Sequence, residues 1–291
     1  MSAGIYLGDR FEEGWTINNV ILAESIDRVS EILGERMERL TVERAVIGLF
    51  FSGVKLSDGH GGLCFTPIKE IPEAVCCPSS ARAMPLPGKL AGRSVKAYLE
   101  DIFKGSIMKK TLGIATLNAL SASCWELMQQ KGYQMELGRD AFEMIDIDPS
   151  QKTVVVGALV PVIRRLMAAR ADFHILELDK ATLKPDELPY FAEASRAPEL
   201  VPDADLLVIT GTTLLNDTLP GLLELAKPGA RIVVTGPTVS MLPDAFFKRG
   251  VTALGGILVT RPDELLDIIS EGGSGYHFFG KSAEMMVISR N

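Results

Sequence analysis

Two loops carry most of the hydroxyl and amide groups with which this chain could hold a small ligand. Thr210-Gly211-Thr212-Thr213, continued by Asn216, Asp217 and Thr218, follows a short apolar run and precedes a helical pattern. Thr235-Gly236-Pro237-Thr238 repeats the arrangement. Threonine hydroxyls, a side-chain amide and free backbone N–H groups at a helix start can bind an anion or the polar edge of a ring. Helix capping by Asp217 or Thr218, with Pro220 in the first turn, accounts for one or two of these residues. It leaves Thr212, Thr213 and Asn216 unexplained. In the second loop Gly236 permits close approach of the backbone to a ligand and Pro237 stiffens the turn. An ordinary strand-to-helix connection explains that loop equally well. Two such loops on one sheet edge strengthen each other, because ligands of open parallel sheets bind outside the carboxyl ends of the strands.

The first half offers the groups that could move protons. Gly59, Gly61 and Gly62 make a flexible tip between two apolar runs, with Lys55, Asp58 and His60 around it. Such a tip could close over a site as a lid carrying His60, the natural acid–base group, and Lys55. The plain alternative is an exposed turn. Asn118 and Ser121, three apart on a helical stretch, share a face that looks either into a cleft between domains or into solvent.

Gly157 ends the first strand of the second half, and Glu177 lies twenty residues further on, where a ribose-binding acid would stand. A solvated strand edge explains Glu177 as well. Gly157 stands alone where a dinucleotide fingerprint has three glycines, with Val160 and Val162 among the residues that follow, which argues against NAD or FAD. The same features echo class I methyltransferases, whose glycine-rich first loop is also missing. Metal ligation has little support. His60, His174 and His277 are scattered, and the four cysteines, Cys64, Cys76, Cys77 and Cys124, form no Cys-x-x-Cys pair. Cys76-Cys77 could hold a soft ion, but adjacent cysteines are more often inert, and all four read as reduced thiols. Gly272-Gly273-Ser274-Gly275, with Tyr276 and His277, is either a flap or a long loop.

The elements that must position these groups follow from periodicity. Apolar residues spaced three and four apart predict a helix over 17–38, and a dense apolar run predicts a strand over 44–54. A glycine-rich hairpin over 57–62 leads to a returning strand at 63–65. Five prolines between 66 and 90 predict an irregular connection. Helices are expected over 94–103 and 111–131, with a domain boundary between 105 and 111. From 152 short strands and helices alternate: strands at 153–156, 173–176, 205–210, 230–235, 252–258 and 285–288, helices at 160–169, 218–227, 243–249 and 262–270. That alternation predicts a parallel, doubly wound sheet.

Bulk properties bound the rest. The 291 residues are 47% hydrophobic and 23% charged, a composition able to bury two cores. A formal net charge of −7 argues against a nucleic-acid partner. No apolar stretch has membrane-span length and the first fifteen residues lack a signal-peptide core, so a cytoplasmic protein without membrane partners is expected. A homodimer is the base-rate expectation.

The order of parts resembles a family of two-domain prokaryotic proteins, the putative heavy-metal-chelation family. The resemblance spans nearly the whole chain. It rests on Gly59-His60-Gly61-Gly62-Leu63, on Thr210-Gly211-Thr212-Thr213 with Asn216, on Gly236-Pro237-Thr238 and on Gly272-Gly273. It implies an α/β fold: a smaller α+β domain over 1–108, similar to the amino-terminal domain of enolase, before a Rossmann-like domain over 109–291. It further implies a cleft made by both domains and a link to metal homeostasis through chelating small molecules. The expectation is a protein that binds a pterin-, flavin- or siderophore-like ligand, acting on it by condensation or hydrolysis, with its cofactor unnamed. Alternatives are a non-catalytic carrier of a metal or metal chelate and, more weakly, a methyltransferase-like enzyme.

Overall fold

The computed structural model describes residues 19–71, 84–128 and 132–290. The Cys76-Cys77 pair lies outside the described residues. α1 (Val20–Leu33) starts where the Asn19 side chain accepts a hydrogen bond from the Leu22 N–H at 3.2 Å, and buries Ile21, Leu22, Ile26, Val29 and Leu33. It stops at Gly34, whose φ of 51° breaks the helical path. The pattern over 17–38 is therefore divided between α1 and a single turn, α2 (Arg36–Arg39).

The apolar run over 44–54 is two strands rather than one. β1 (Val42–Ile47) and β2 (Phe51–Leu56) pair antiparallel, and the Gly48 N–H donates to Phe51 O at 3.1 Å to close the turn. Any side chain at Gly48 would strike the backbone oxygens of Phe51 and Ile269, so glycine is required there. Periodicity cannot reveal a turn whose residues, Leu49 and Phe50, are themselves apolar. β3 (Gly61–Phe65) returns beside β2 and completes a three-stranded sheet.

α3 (Val95–Asp101), capped by Ser94, packs on α4 (Ile107–Leu127), and α4 covers this sheet. From Lys110 to Trp125 every residue of α4 is buried. A helix apolar on all sides must lie between layers. α4 packs on β2 and β3, and shares one continuous apolar cluster with α1 and with Leu207, Ile209, Ile232 and Val234 of the second sheet. The polar face expected for Asn118 and Ser121 is absent; both side chains are inside.

The second sheet has eight strands: β4 (Tyr133–Leu137), β5 (Thr153–Val156), β6 (Phe173–Glu177), β7 (Phe191–Glu193), β8 (Leu206–Thr210), β9 (Arg231–Thr235), β10 (Ala253–Val259) and β11 (Ala283–Arg290). Their spatial order is β4-β11-β10-β9-β8-β5-β6-β7. β5 through β10 run parallel, while β11 is antiparallel to both β10 and β4. Counted from β5, the parallel strands stand in the order 3-2-1-4-5-6, the doubly wound Rossmann arrangement, and the order reverses between β5 and β8. Leu206, Val208 and Val233 pack into a different cluster from Leu207, Ile209 and Val234, as period-2 strands buried on both faces require. The connections hold α5 (Val160–Ala169), α6 (Ala197–Leu200), α7 (Leu219–Leu225), α8 (Asp244–Phe247), α9 (Pro262–Ser270) and α10 (Gly275–Phe278). β4 and β7 have no counterpart in the sequence reading. The first carries polar Gln134 and Glu136 on an edge, and the second is three residues long.

The glycine-rich stretch at 272–275 is not a flap. The Gly273 N–H donates to Ile268 O at 2.9 Å, closing the end of α9. Ser274 and His277 then form a reciprocal cap on α10.

Candidate functional site

The two threonine loops do meet. Thr210 and Thr235 are register partners at the carboxyl ends of β8 and β9. A Cβ on Gly211 would lie 2.9 Å from Val239 Cγ1 and 3.3 Å from Thr238 Cβ, so the loops are in contact. Most of their polar groups, however, hold the protein together. Thr213 is buried and its hydroxyl donates to Thr210 O at 2.7 Å. Thr238 is buried, and its hydroxyl oxygen accepts from the Phe65 N–H at 3.1 Å. Asn118 donates through Nδ2 to Leu63 O at 2.7 Å, Thr238 O at 3.0 Å and Pro237 O at 3.3 Å. One buried amide thus ties α4, β3 and the loop after β9 together. Gly236, at φ 125°, donates its N–H to Gly255 O at 2.8 Å. Asn216 is exposed, and its Oδ1 accepts from the Thr218 N–H and hydroxyl in a local turn. Asp217, at φ 60°, is held 2.6 Å from the buried Lys110 ammonium, which also donates to Leu215 O at 2.8 Å.

What remains open lies at the switch point. Gly157 has φ 94°, and a Cβ there would sit 2.6 Å from Thr210 Cγ2. The ends of β5 and β8 therefore adjoin, with the partly exposed hydroxyls of Thr210 and Thr212 3.2 Å apart beside them. Next along the edge, Glu177 Oε1 accepts from the Leu178 N–H at 2.8 Å and the Asp179 N–H at 3.4 Å. Gly157, Glu177, Thr210 and Thr212 thus stand on neighbouring strand ends at the switch point, where open α/β sheets have their crevice.

A segment of the first half crosses this edge, and it is not the hairpin tip. Phe65 is bonded to Thr238 after β9, and Lys69 Nζ lies 2.6 Å from Asp179 Oδ2 after β6. Residues 65–69 thus run from the loop after β9 to the loop after β6, and β8 and β5 are the strands between those two in the sheet. The Thr66 hydroxyl lies 2.9 Å from Ser52 Oγ, fixing the near end of this strap to β2. Sequence reasoning missed Thr66, Lys69 and Asp179 because nothing local distinguishes an anchoring lysine from a solvated one.

The tip at 57–60 goes elsewhere. Gly59 makes the turn at φ 94° in open space, whereas Gly61 and Gly62 serve close packing. A side chain at Gly62 would fall on the backbone of Ala115 and Ala119 in α4, and one at Gly61 on Val259 and Pro262. His60 Nε2 lies 3.2 Å from Glu126 Oε1, and Nδ1 lies 3.2 Å from Asp58 Oδ1, within ion-pair range but without in-line hydrogen-bond geometry. Asp58 Oδ2 in turn accepts from the Ser123 hydroxyl at 2.7 Å. The Asp58 carboxylate raises the pKa of His60 above its ordinary value, working against burial. Burial pushes the Asp58 carboxyl the other way, yet His60 and Ser123 hold it below the usual range. Ser123 and Glu126 are five and eight residues beyond Asn118, roughly 8 and 12 Å along α4. His60 therefore clamps the hairpin to the far end of α4, away from the loop that Asn118 holds. Lys55 points to a third place, 2.8 Å from Asp263 Oδ2 of α9 and 3.3 Å from Glu43 Oε1.

A family model described as "Putative heavy-metal chelation", the DUF364 family, matches residues 140–288, the part that contains all six parallel strands. The chain belongs to the DUF364 family. A second model with the same description, DUF4213, matches residues 30–121, from α1 to α4. An uncharacterised protein of Methanocaldococcus jannaschii is 31% identical over 193 residues, covering 65% of this chain and 70% of the relative. Among solved structures, a DUF364 protein of unknown function from Pyrococcus horikoshii superposes with a TM-score of 0.72 at 20% identity, over 92% of this chain and 99% of its own. A second, from Desulfitobacterium hafniense, gives 0.64 at 18% identity over 90% and 99%. The fold of this DUF364 protein is thus shared along almost its whole length.

The family description raises a metal, and the donor set can be tested against it. Among the described residues no three His, Cys, Asp or Glu side chains come together in a way that could hold an ion. Carboxylates flank His60 on opposite ring nitrogens rather than converging with it on a point. Cys64 is fully buried, and that burial pushes its thiol up to about 12, which withholds the thiolate a metal would need. The described side chains do not fit a directly ligated metal. The crevice instead offers hydroxyls, a carboxylate and a glycine backbone, which suit a polar organic molecule. No helix among the described residues is long and apolar enough to cross a membrane.

Proposed function

We propose that this DUF364 protein binds a small, polar, chelator-like molecule of pterin, flavin or siderophore type. The ligand sits in the crevice between Gly157, Glu177, Thr210 and Thr212, beneath the strap over 65–69. A heavy metal is handled as part of that molecule and not by protein ligands. The observation that carries the reading is the double anchoring of the strap, Phe65 to Thr238 and Lys69 to Asp179, which makes a roof from the first half over the switch point of the second.

Binding is better supported than proton chemistry driven by the hairpin. Both imidazole nitrogens of His60 face carboxylates, and the Lys55 ammonium is paired with two. An enzyme acting on the ligand by condensation or hydrolysis needs a proton-transfer group, and of the four crevice residues only Glu177 carries a carboxyl group.

The test is mass spectrometry of small molecules and metals released on denaturing protein purified under mild conditions. The expected result is a polar chelator, with its metal, lost from Thr212→Val and retained by a Cys76→Ser/Cys77→Ser double variant. Metal lost from the cysteine variant and kept by Thr212→Val would reverse the proposal in favour of direct thiolate binding.

A further inference from the structure

We infer that the β5–β6 side of this crevice takes the ribose of a nucleoside, with Glu177 reading the two vicinal hydroxyls, and that it takes no dinucleotide. The inference rests on the crevice being the ligand site and adds a second chemical class to it. Glu177 ends β6, the strand next to β5 on the side away from the switch, and stands twenty residues after Gly157. In doubly wound sheets an acid at this place accepts hydrogen bonds from a ribose diol. Its own local bonds orient it for that work. The Leu178 and Asp179 N–H groups fix Oε1, which leaves Oε2 to a ligand. Among the described residues no cation pairs with it; the nearby Lys69 pairs with Asp179 instead. Gly157, at φ 94° and without a Cβ, lets the Thr210 side chain pack against the end of β5, which sets the Thr210 hydroxyl on the neighbouring strand end.

The start of α5 excludes the phosphates of a dinucleotide. The spacing of a Gly-x-Gly-x-x-Gly turn puts Leu159 and Val162 at the second and third glycine positions, and Val162 is wholly buried. The N–H groups that would meet a pyrophosphate are already used, Leu159 donating to Gly157 O at 2.8 Å and Val160 to Ala158 O at 3.0 Å. Glu177 and Asp179 add negative charge to the same edge. A neutral nucleoside, or one whose 5′ substituent is cationic or uncharged, fits where a phosphate does not.

The test is calorimetric titration of the full chain with adenosine, guanosine, cytidine and uridine, their 2′-deoxy counterparts, and NAD. Wild type should bind at least one ribonucleoside about tenfold or more tightly than its 2′-deoxy form, with NAD no tighter than adenosine. Glu177→Gln, which keeps an oxygen for the Leu178 N–H, should abolish the preference for the diol without lowering the melting temperature. Failure of every nucleoside to bind wild type, equal affinity for ribo and deoxy forms, or an unchanged preference in Glu177→Gln would overturn the inference. If nucleosides fail while a retained chelator still depends on Thr212, this inference falls alone. If the retained ligand is indifferent to Thr212→Val, the crevice itself falls, and the inference with it.

Discussion

The two threonine loops look alike in sequence and end up with different work. After β9, Thr238, Ser240 and the carbonyls of Pro237 and Thr238 are consumed by Phe65, Ile257 and Asn118. After β8, Thr213 is consumed but Thr210 and Thr212 keep partly exposed hydroxyls that bond only within their own loop. The difference comes from position. The loop after β9 lies under β3 and α4, whereas β8 adjoins the switch point, where connections diverge and leave a gap. Hydroxyl-rich loops at a sheet edge therefore mark either a ligand site or a seam between layers, and only the packing above them decides which.

Variants sharpen that contrast, beginning with the seam. Gly62→Val forces a branched side chain into the backbone of α4 and should destabilise by more than about 3 kcal/mol, or prevent folding, as read by urea denaturation. Asn118→Ala strands the carbonyl oxygens of Leu63 and Thr238 and should lower stability by about 3 kcal/mol; a loss under about 0.5 kcal/mol would mean the seam is not held there. At the crevice the pattern should invert. Thr212→Val should stay within about 0.5 kcal/mol of wild type and lose the bound molecule, a result that separates site from seam in one variant.

Smaller effects follow at the clamp and the strap. The folded pKa of His60 is raised, so its contribution is fully present below the unfolded value of about 6.5 and is lost as pH rises through the folded one. Asp58, held low, acts in the opposite sense, and its contribution is lost only as pH falls through its folded value in acid. Stability between wild type and His60→Gln should thus converge in mild alkali, with a difference below about 1 kcal/mol at pH 6. A gap that widens with pH would show that His60 is not the charged partner. Lys69→Ala should leave the melting temperature unchanged and speed release of the bound molecule; unchanged release would show the strap to be passive.

Much of the architecture was legible. The alternation from 152 onward sets out the parallel strands, and Gly157, Glu177, Thr210 and Thr235 mark their carboxyl ends. The reversal between β5 and β8 was not legible, because strand order is a long-range property that local patterns do not carry. The turn at 48–50 was hidden by its apolar residues, and the all-round burial of α4 by the expectation that Asn118 and Ser121 mean solvent. The glycines of the hairpin misled most. They signal flexibility when read alone, yet Gly61 and Gly62 are there because other chain segments occupy the space of a side chain. The strap was invisible, since Lys69 and Asp179 are 110 residues apart and each looks like any surface charge.

A crystal structure of the protein with its co-purifying molecule retained tests the central claim most directly. The account predicts ligand density between Gly157, Glu177 and Thr212, covered by residues 65–69, with any metal bound to the ligand. Density instead at the cavity of about 690 Å³ between Arg28, Tyr133, Phe247 and Arg290, with the crevice empty, would contradict it.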